Sequence, residues 1–121
     1  MACRLIQTLL VVGALLLVAC TQDKMVTRGL KDAPQLRGAL VEAIPTGSDL
    51  ASAVTFMERN QFRCLSQLNA AWGERQGLDY MYCDKEVDVG RPIVRRWQVA
   101  IVHDRRSRVQ EVLVSTGLVG P

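Results

Sequence analysis

Hydrophobic positions are distributed in three distinct ways along this chain. The first is a continuous apolar run, Leu9–Ala19, interrupted only by Gly13. The second is a helical stripe: Leu50, Ala53, Val54 and Met57 recur at i, i+3, i+4 and i+7, with Ser52, Thr55, Glu58 and Arg59 on the other side. The third is alternation. In Leu78–Cys83, Leu78, Tyr80 and Tyr82 share one face, and Met81 and Cys83 share the other. In Ile93–Val102, Trp97, Val99 and Ile101 point one way, while Gln98, Ala100 and Val102 point the other.

Punctuation between these runs sets the expected elements. Pro45-Thr46-Gly47-Ser48 precedes the helical stripe. Ser48 is placed to cap a helix over roughly Asp49 to Arg59, and Asn60 is suited to the left-handed conformation that ends one. Phe62–Leu65 reads as a short strand, Gln67–Gln76 as a loop, and Asp84–Pro92 as a charged loop. Asp104-Arg105-Arg106-Ser107 is a polar turn between Ile93–Val102 and a returning strand, Val109–Ser115. Leu36, Leu40, Val41 and Ile44 have helical spacing broken by Gly38, compatible with a short helix or an extended lead-in. The expected fold class is therefore α+β: a short amphipathic helix packed on an antiparallel meander of three or four strands. A leader and a polar tether, Thr21 to about Gln35, precede it. The expected division is 1–19 leader, 20–43 tether and 44–121 folded domain.

The apolar run is too short for a comfortable membrane span. As a helix, Leu9–Ala19 is about 16 Å long against a hydrocarbon core of roughly 30 Å. With Arg4 ahead of it and small Ala19 at its end, it has the form of a cleavable signal peptide. Leu17-Val18-Ala19-Cys20 resembles the lipobox of bacterial lipoproteins. That resemblance implies cleavage before Cys20, a thioether from its thiol to diacylglycerol, and anchorage of the chain to a membrane facing the periplasm. Thr21, in place of Asp, implies the outer membrane rather than the inner one.

Composition then narrows the chemistry. Removing residues 1–19 from 121 leaves 102, enough for one domain of modest core. Only Arg4 of the 15 basic residues lies in the leader, so 14 face 12 acidic ones. That balance gives no reason to expect nucleic acid as a partner. Cys3 falls in the leader and Cys20 at its end, which leaves Cys64 and Cys83 as one pair. In an exported domain the pair reads as a disulfide closing a loop of about 18 residues. No Cys-x-x-Cys is present, and His103 is the one other soft ligand, so no metal or cofactor is expected.

His103 beside Asp104 at a hairpin turn reads as a surface histidine rather than part of a catalytic triad, and no Gly-x-Ser-x-Gly elbow is present. Arg91, Arg95, Arg96, Arg105, Arg106 and Arg108 surround the final hairpin. They are candidates for meeting an envelope protein or an anionic envelope component, with Asp84, Glu86, Asp88 and Asp104 available for ordinary surface pairing.

Ile44-Pro45-Thr46-Gly47 opening the helix, then Tyr80-x-Tyr82, then a hairpin with Asp104 at its turn and Val109 after it, resembles the SmpA/OmlA-like outer-membrane lipoproteins. The likeness covers roughly Ile44 to Val114. It implies a small α+β domain, often a helix followed by a three-stranded antiparallel sheet, and for one member an accessory role in outer-membrane protein assembly. The chain departs from that pattern in having Asn60-Gln61-Phe62 where a Gly-x-Pro is expected, and in its Cys64/Cys83 pair. The expectation is a membrane-anchored, non-enzymatic binding or structural module of the envelope, with a small-ligand carrier or enzyme as the competing class.

Overall fold

A computed structural model describes residues 25–120 in full, and the backbone alone of Arg4–Leu9 and Ala14–Ala19. Those two N-terminal segments, β1 and β2, pair antiparallel from Arg4↔Ala19 to Leu9↔Ala14. Apolar runs this short carry no periodicity that separates strand from helix. Among the described residues no helix is long and apolar enough to cross a membrane. Cys20, where cleavage and lipid attachment are expected, lies outside the described residues.

The main body is α+β. Helices α1 (Ala33–Ala43) and α2 (Leu50–Arg59) cover one face of a four-stranded antiparallel meander. Its strands are β3 (Arg63–Trp72), β4 (Arg75–Gly90), β5 (Ile93–His103) and β6 (Val109–Val119), in that spatial order. Trp97, Val99 and Ile101 point into the helix-covered core and Ala100 and Val102 away from it, as their alternation predicts.

The folded unit begins well before the expected boundary at Ile44. Leu36 and Leu40 are fully buried beside Ile44 in the core, and Val26 and Leu30 pack against it. Asp32 starts α1 with a capping box: its carboxylate accepts from the Gln35 backbone N–H at 2.9 Å, and the Gln35 side chain accepts from the Asp32 N–H at 3.3 Å. Pro34 fits the first turn because its missing N–H has no helical partner there. Polar composition made this stretch resemble a tether. Two leucines four apart were enough to bind it to the sheet once a partner face existed.

The ends of α2 also differ from expectation. Asp49, rather than Ser48, is the N-cap and accepts from Ser52 N–H at 3.2 Å. Ser48 instead donates to the Pro45 carbonyl, and its own backbone joins the start of β6 through Val109 N–H to Ser48 O at 2.8 Å. At the other end Gln61, not Asn60, takes the left-handed conformation, with φ 66°. Phe62 N–H reaches Met57 O and Gln61 N–H reaches Glu58 O, the paired bonds of a Schellman motif. Phe62 and Met57 are both buried in the core below it. Asn60 is freed for another task, described below.

Two expected loops are strand. Gln67–Gln76 is mostly β3 and the start of β4, joined by a two-residue turn at Gly73-Glu74 in which Gly73 has φ 60°. Register shifts between Gln67 and Trp72, with Asn69 at φ 48°, break the alternation that would have marked this strand in the sequence. Asp84–Pro92 continues β4 to Gly90, its charged residues pairing with β5 from Asp84↔Gln98 to Asp88↔Val94. β6 likewise runs past Ser115 to Val119.

The second sheet face is covered by the sheet's own hairpin. Tyr80, Ala100 and Val102 are buried there under Trp72, Leu78 and Leu113. The Tyr80 hydroxyl donates to Ala71 O at 2.7 Å, and Trp72 meets Tyr80 edge-on with centroids 5.8 Å apart. Arg75, at the hairpin tip, makes a two-pronged bond to Glu111 on β6, at 3.0 and 2.7 Å. Arg75 begins β4, and β5 lies between it and β6 in the sheet, so the bridge crosses β5 and ties the hairpin tip to β6.

Candidate functional site

The paired cysteines are joined. Cys64 and Cys83 sit directly opposite each other on β3 and β4, on the helix-covered face, and form a disulfide. Cys83 is fully buried in the core cluster and Cys64 packs against it. Among the described residues there is no free cysteine and no group of three His, Cys, Asp or Glu side chains placed to hold a metal ion.

The six arginines do not form one patch. Arg91, Arg95 and Arg96 lie at the start of β5, whereas Arg105, Arg106 and Arg108 surround the turn after its end. Arg96 and the end of β5 at His103 are seven positions apart, about 23 Å along the strand. Neighbours in sequence across a hairpin turn stay together, but residues at opposite ends of one strand do not. The far group frames a structural turn. The Asp104 carboxylate accepts from the backbone N–H groups of Arg106 and Arg108, at 2.8 and 3.0 Å, and from the Gln110 amide. The Arg108 bond above all, with those from Arg106 and Gln110, holds the Asp104 carboxyl below the usual carboxylate range. His103 sits beside this turn, its Nδ1 3.0 Å from the Asp104 carbonyl, and no nucleophile accompanies it among its hydrogen-bond partners.

Arg96 belongs to a polar row on the sheet face away from the helices, beyond the reach of the hairpin. Its Nη2 meets Asp84 Oδ2 at 3.1 Å, and Arg63 Nε lies 3.7 Å from Asp84 Oδ1. Asp84 is 8% exposed, so the pair shields a nearly buried carboxylate. The hydrogen bond it donates to Asp84, then the electrostatic influence of the Tyr82 phenol, pushes the Arg96 guanidinium further toward its charged form. Its Nε is buried without a partner. Gln98 donates to the Tyr82 hydroxyl at 2.8 Å next to it. Apart from that nitrogen, these groups bond one another, which is the pattern of a surface polar network.

The concave feature with mixed chemistry lies at the opposite end of the sheet from Asp104. A groove of about 660 Å³ runs between the Met25–Lys31 segment and the ends of β4 and β5. Trp97, Val87, Leu30 and Met25 contribute its apolar surface, while Arg28, Lys31 and Arg95 supply cations and Glu86 and Asp88 anions. The Arg95 guanidinium lies 5.7 Å from the Trp97 ring centre, a cation–π arrangement that keeps the charge on the groove wall. Such a volume is in the range of small-molecule and side-chain binding clefts.

One buried junction builds that groove. Asn60, 8% exposed, accepts from Val26 N–H at 2.6 Å through Oδ1 and donates to Phe56 O at 2.9 Å through Nδ2. Its own carbonyl accepts from Lys85 Nζ at 2.8 Å, and the same ammonium donates to Thr27 Oγ1 at 2.9 Å. Lys85 also lies over the Phe62 ring, 5.6 Å from its centre. Burial pulls the Lys85 amine below the usual lysine range. The N-terminal segment is thereby stitched to the end of α2 and to β4. Sequence reading passed over both residues: Asn60 looked like a helix terminator and Lys85 like one charge in a loop. No local pattern carries a signal for a contact across 58 residues.

Comparison with protein-family models, with curated proteins and with solved structures finds no match for this chain. The functional reading rests on its own residues.

Proposed function

We propose that this chain is a bacterial lipoprotein anchored through Cys20, whose folded unit is a non-enzymatic binding module facing the periplasm. Thr21 after the cysteine favours the outer membrane. The observation that carries the binding reading is the groove walled by Met25–Lys31, only five residues beyond Cys20. Its interior cation, Lys85, is engaged by Thr27 and Asn60, so the charged groups on its walls without an ion-pair partner among the described residues are Arg28, Lys31 and Arg95 against Glu86 and Asp88. Fixed apolar surface with a charged rim suits recognition of an envelope protein segment or an anionic envelope component.

The anchor is tested by the mass of the mature N-terminal peptide, expected to begin at Cys20 and to carry a diacylglyceryl group. Cys20→Ser should abolish both the mass gain and membrane retention; an unlipidated wild type retained equally well would sink the assignment. Binding is tested with a photo-crosslinking amino acid at Lys31, on the groove wall, and at Glu58, on the outer side of α2. The reading expects a discrete envelope adduct from Lys31 and none from Glu58. Identical patterns from both positions would refute it.

A further inference from the structure

We propose that the β4–β5 end of the sheet docks on the surface of the anionic phospholipid leaflet in which Cys20 is anchored, as a second contact that fixes the domain's orientation. This inference rests on the lipid-anchor reading above. Seven large hydrophobic side chains are exposed among the described residues, and four of them lie at this end of the sheet: Val89 at 48%, Ile93 at 40%, Leu118 at 60% and Val119 at 43%. Pairing of Gly90 with Ile93 and of Val94 with Val119 brings them together around the Arg91-Pro92 turn. The remaining three, Val41, Leu65 and Leu68, lie on α1 and the edge strand β3.

Charge and tether length select the occupant. Arg91 is exposed at the turn itself, with Arg28, Lys31 and Arg95 on the groove behind it. Glu86 and Asp88 are the acidic groups there, which leaves the end with more cations than anions. A basic surface bearing exposed aliphatic side chains complements anionic headgroups and the acyl boundary beneath them. The five-residue step from Cys20 to Met25 reaches about 18 Å when extended. The sheet is about 35 Å long, and Met25 lines the groove at this same end. The tether therefore holds the β4–β5 end next to the leaflet, while the Asp104 and Gly73 turns face away.

The test uses the processed lipoprotein made from the full chain and reconstituted into vesicles containing brominated phospholipid. Ile93→Trp reports contact at the proposed docking end, with Val89→Trp as a second reporter, and Leu68→Trp, on β3, reports the opposite end of the sheet. Against the parent protein with its native Trp72 and Trp97, added fluorescence at positions 93 and 89 should be strongly quenched in vesicles containing phosphatidylglycerol. At position 68 it should not be. Arg91→Gln in the Ile93→Trp background should lower occupancy of the docked state about fivefold, as loss of one cation near an anionic surface implies. Quenching equal at all three positions, or equal in phosphatidylcholine alone and with phosphatidylglycerol, would overturn the proposal. Lipid on Cys20, read by mass in the same samples, separates failure of docking from failure of the anchor.

Discussion

Removing the Cys64–Cys83 bridge is the sharpest test of how this small domain is held together. The bond closes a separation of 19 residues. On the chain-entropy argument, a loop of that length destabilises the unfolded chain by about 3 kcal/mol, since the cost grows only with the logarithm of loop length. A domain of this size has a total stability of roughly 5–15 kcal/mol, so the bridge supplies a large fraction of it. Replacing both cysteines by alanine should therefore lower stability by about 3 kcal/mol and Tm by roughly 12–24 °C. Loss should begin at β3. It is an edge strand, held by β4 on one side and by its contacts with α2 above. Urea unfolding of oxidised protein and of the double variant, followed by circular dichroism, measures the effect. Reductant should shift the oxidised protein toward the variant and leave the variant where it is. A midpoint shift corresponding to less than about 1 kcal/mol would refute the reasoning, because the unfolded chain would then gain little freedom from opening the loop.

Other outcomes follow from particular contacts. Leu40→Ala should cost about 3–5 kcal/mol in chemical denaturation, because its side chain is fully buried; a loss near zero would return this segment to the role of tether. Asp49→Ala should cost about 1 kcal/mol by leaving the Ser52 N–H without its cap, and Ser48→Ala should cost less. Asp104 and Glu111 both have folded carboxyl groups held below their ordinary range, the first by backbone N–H groups and the second by Arg75. Their stabilising contributions are therefore complete above the unfolded carboxylate range, roughly pH 4 and higher, and fade as pH falls through the lower folded values. Urea midpoints taken from pH 7 down to pH 2 should fall less steeply for Asp104→Asn combined with Glu111→Gln than for wild type; parallel slopes would contradict the assigned bonds.

Much of the core was legible before any coordinates. Alternation placed Trp97, Val99 and Ile101 on one face of β5, and there they line the main core. The stripe Leu50, Ala53, Val54, Met57 marked α2, with Ala53 and Met57 buried. The pairing of Cys64 with Cys83 followed from counting. Where reading failed, the local signal was absent or misleading. Bulges around Asn69 hid the second half of β3 and charges hid the second half of β4; the spacing of Leu36, Leu40 and Ile44 allowed a helix at α1, but the polar residues around them left it assigned to the tether.

The candidate site lay almost wholly in those hidden parts. Of the residues lining its groove, only Arg95 had been named as a binding candidate, as one of six arginines that the fold then divided between two ends of β5; Trp97, Glu86 and Asp88 had been read as core and surface-pairing groups. By itself the sequence determined the α+β class, the core faces of α2 and β5 and the cysteine pair, because periodicity and counting are local properties. Only the tertiary structure decided that residues 25–43 belong to the fold, that Arg75 clamps the hairpin to Glu111, and that Asn60 and Lys85 build a groove. Each of these depends on distant residues meeting, and a hydrogen bond or buried contact between distant residues leaves no periodic trace in either partner's neighbourhood.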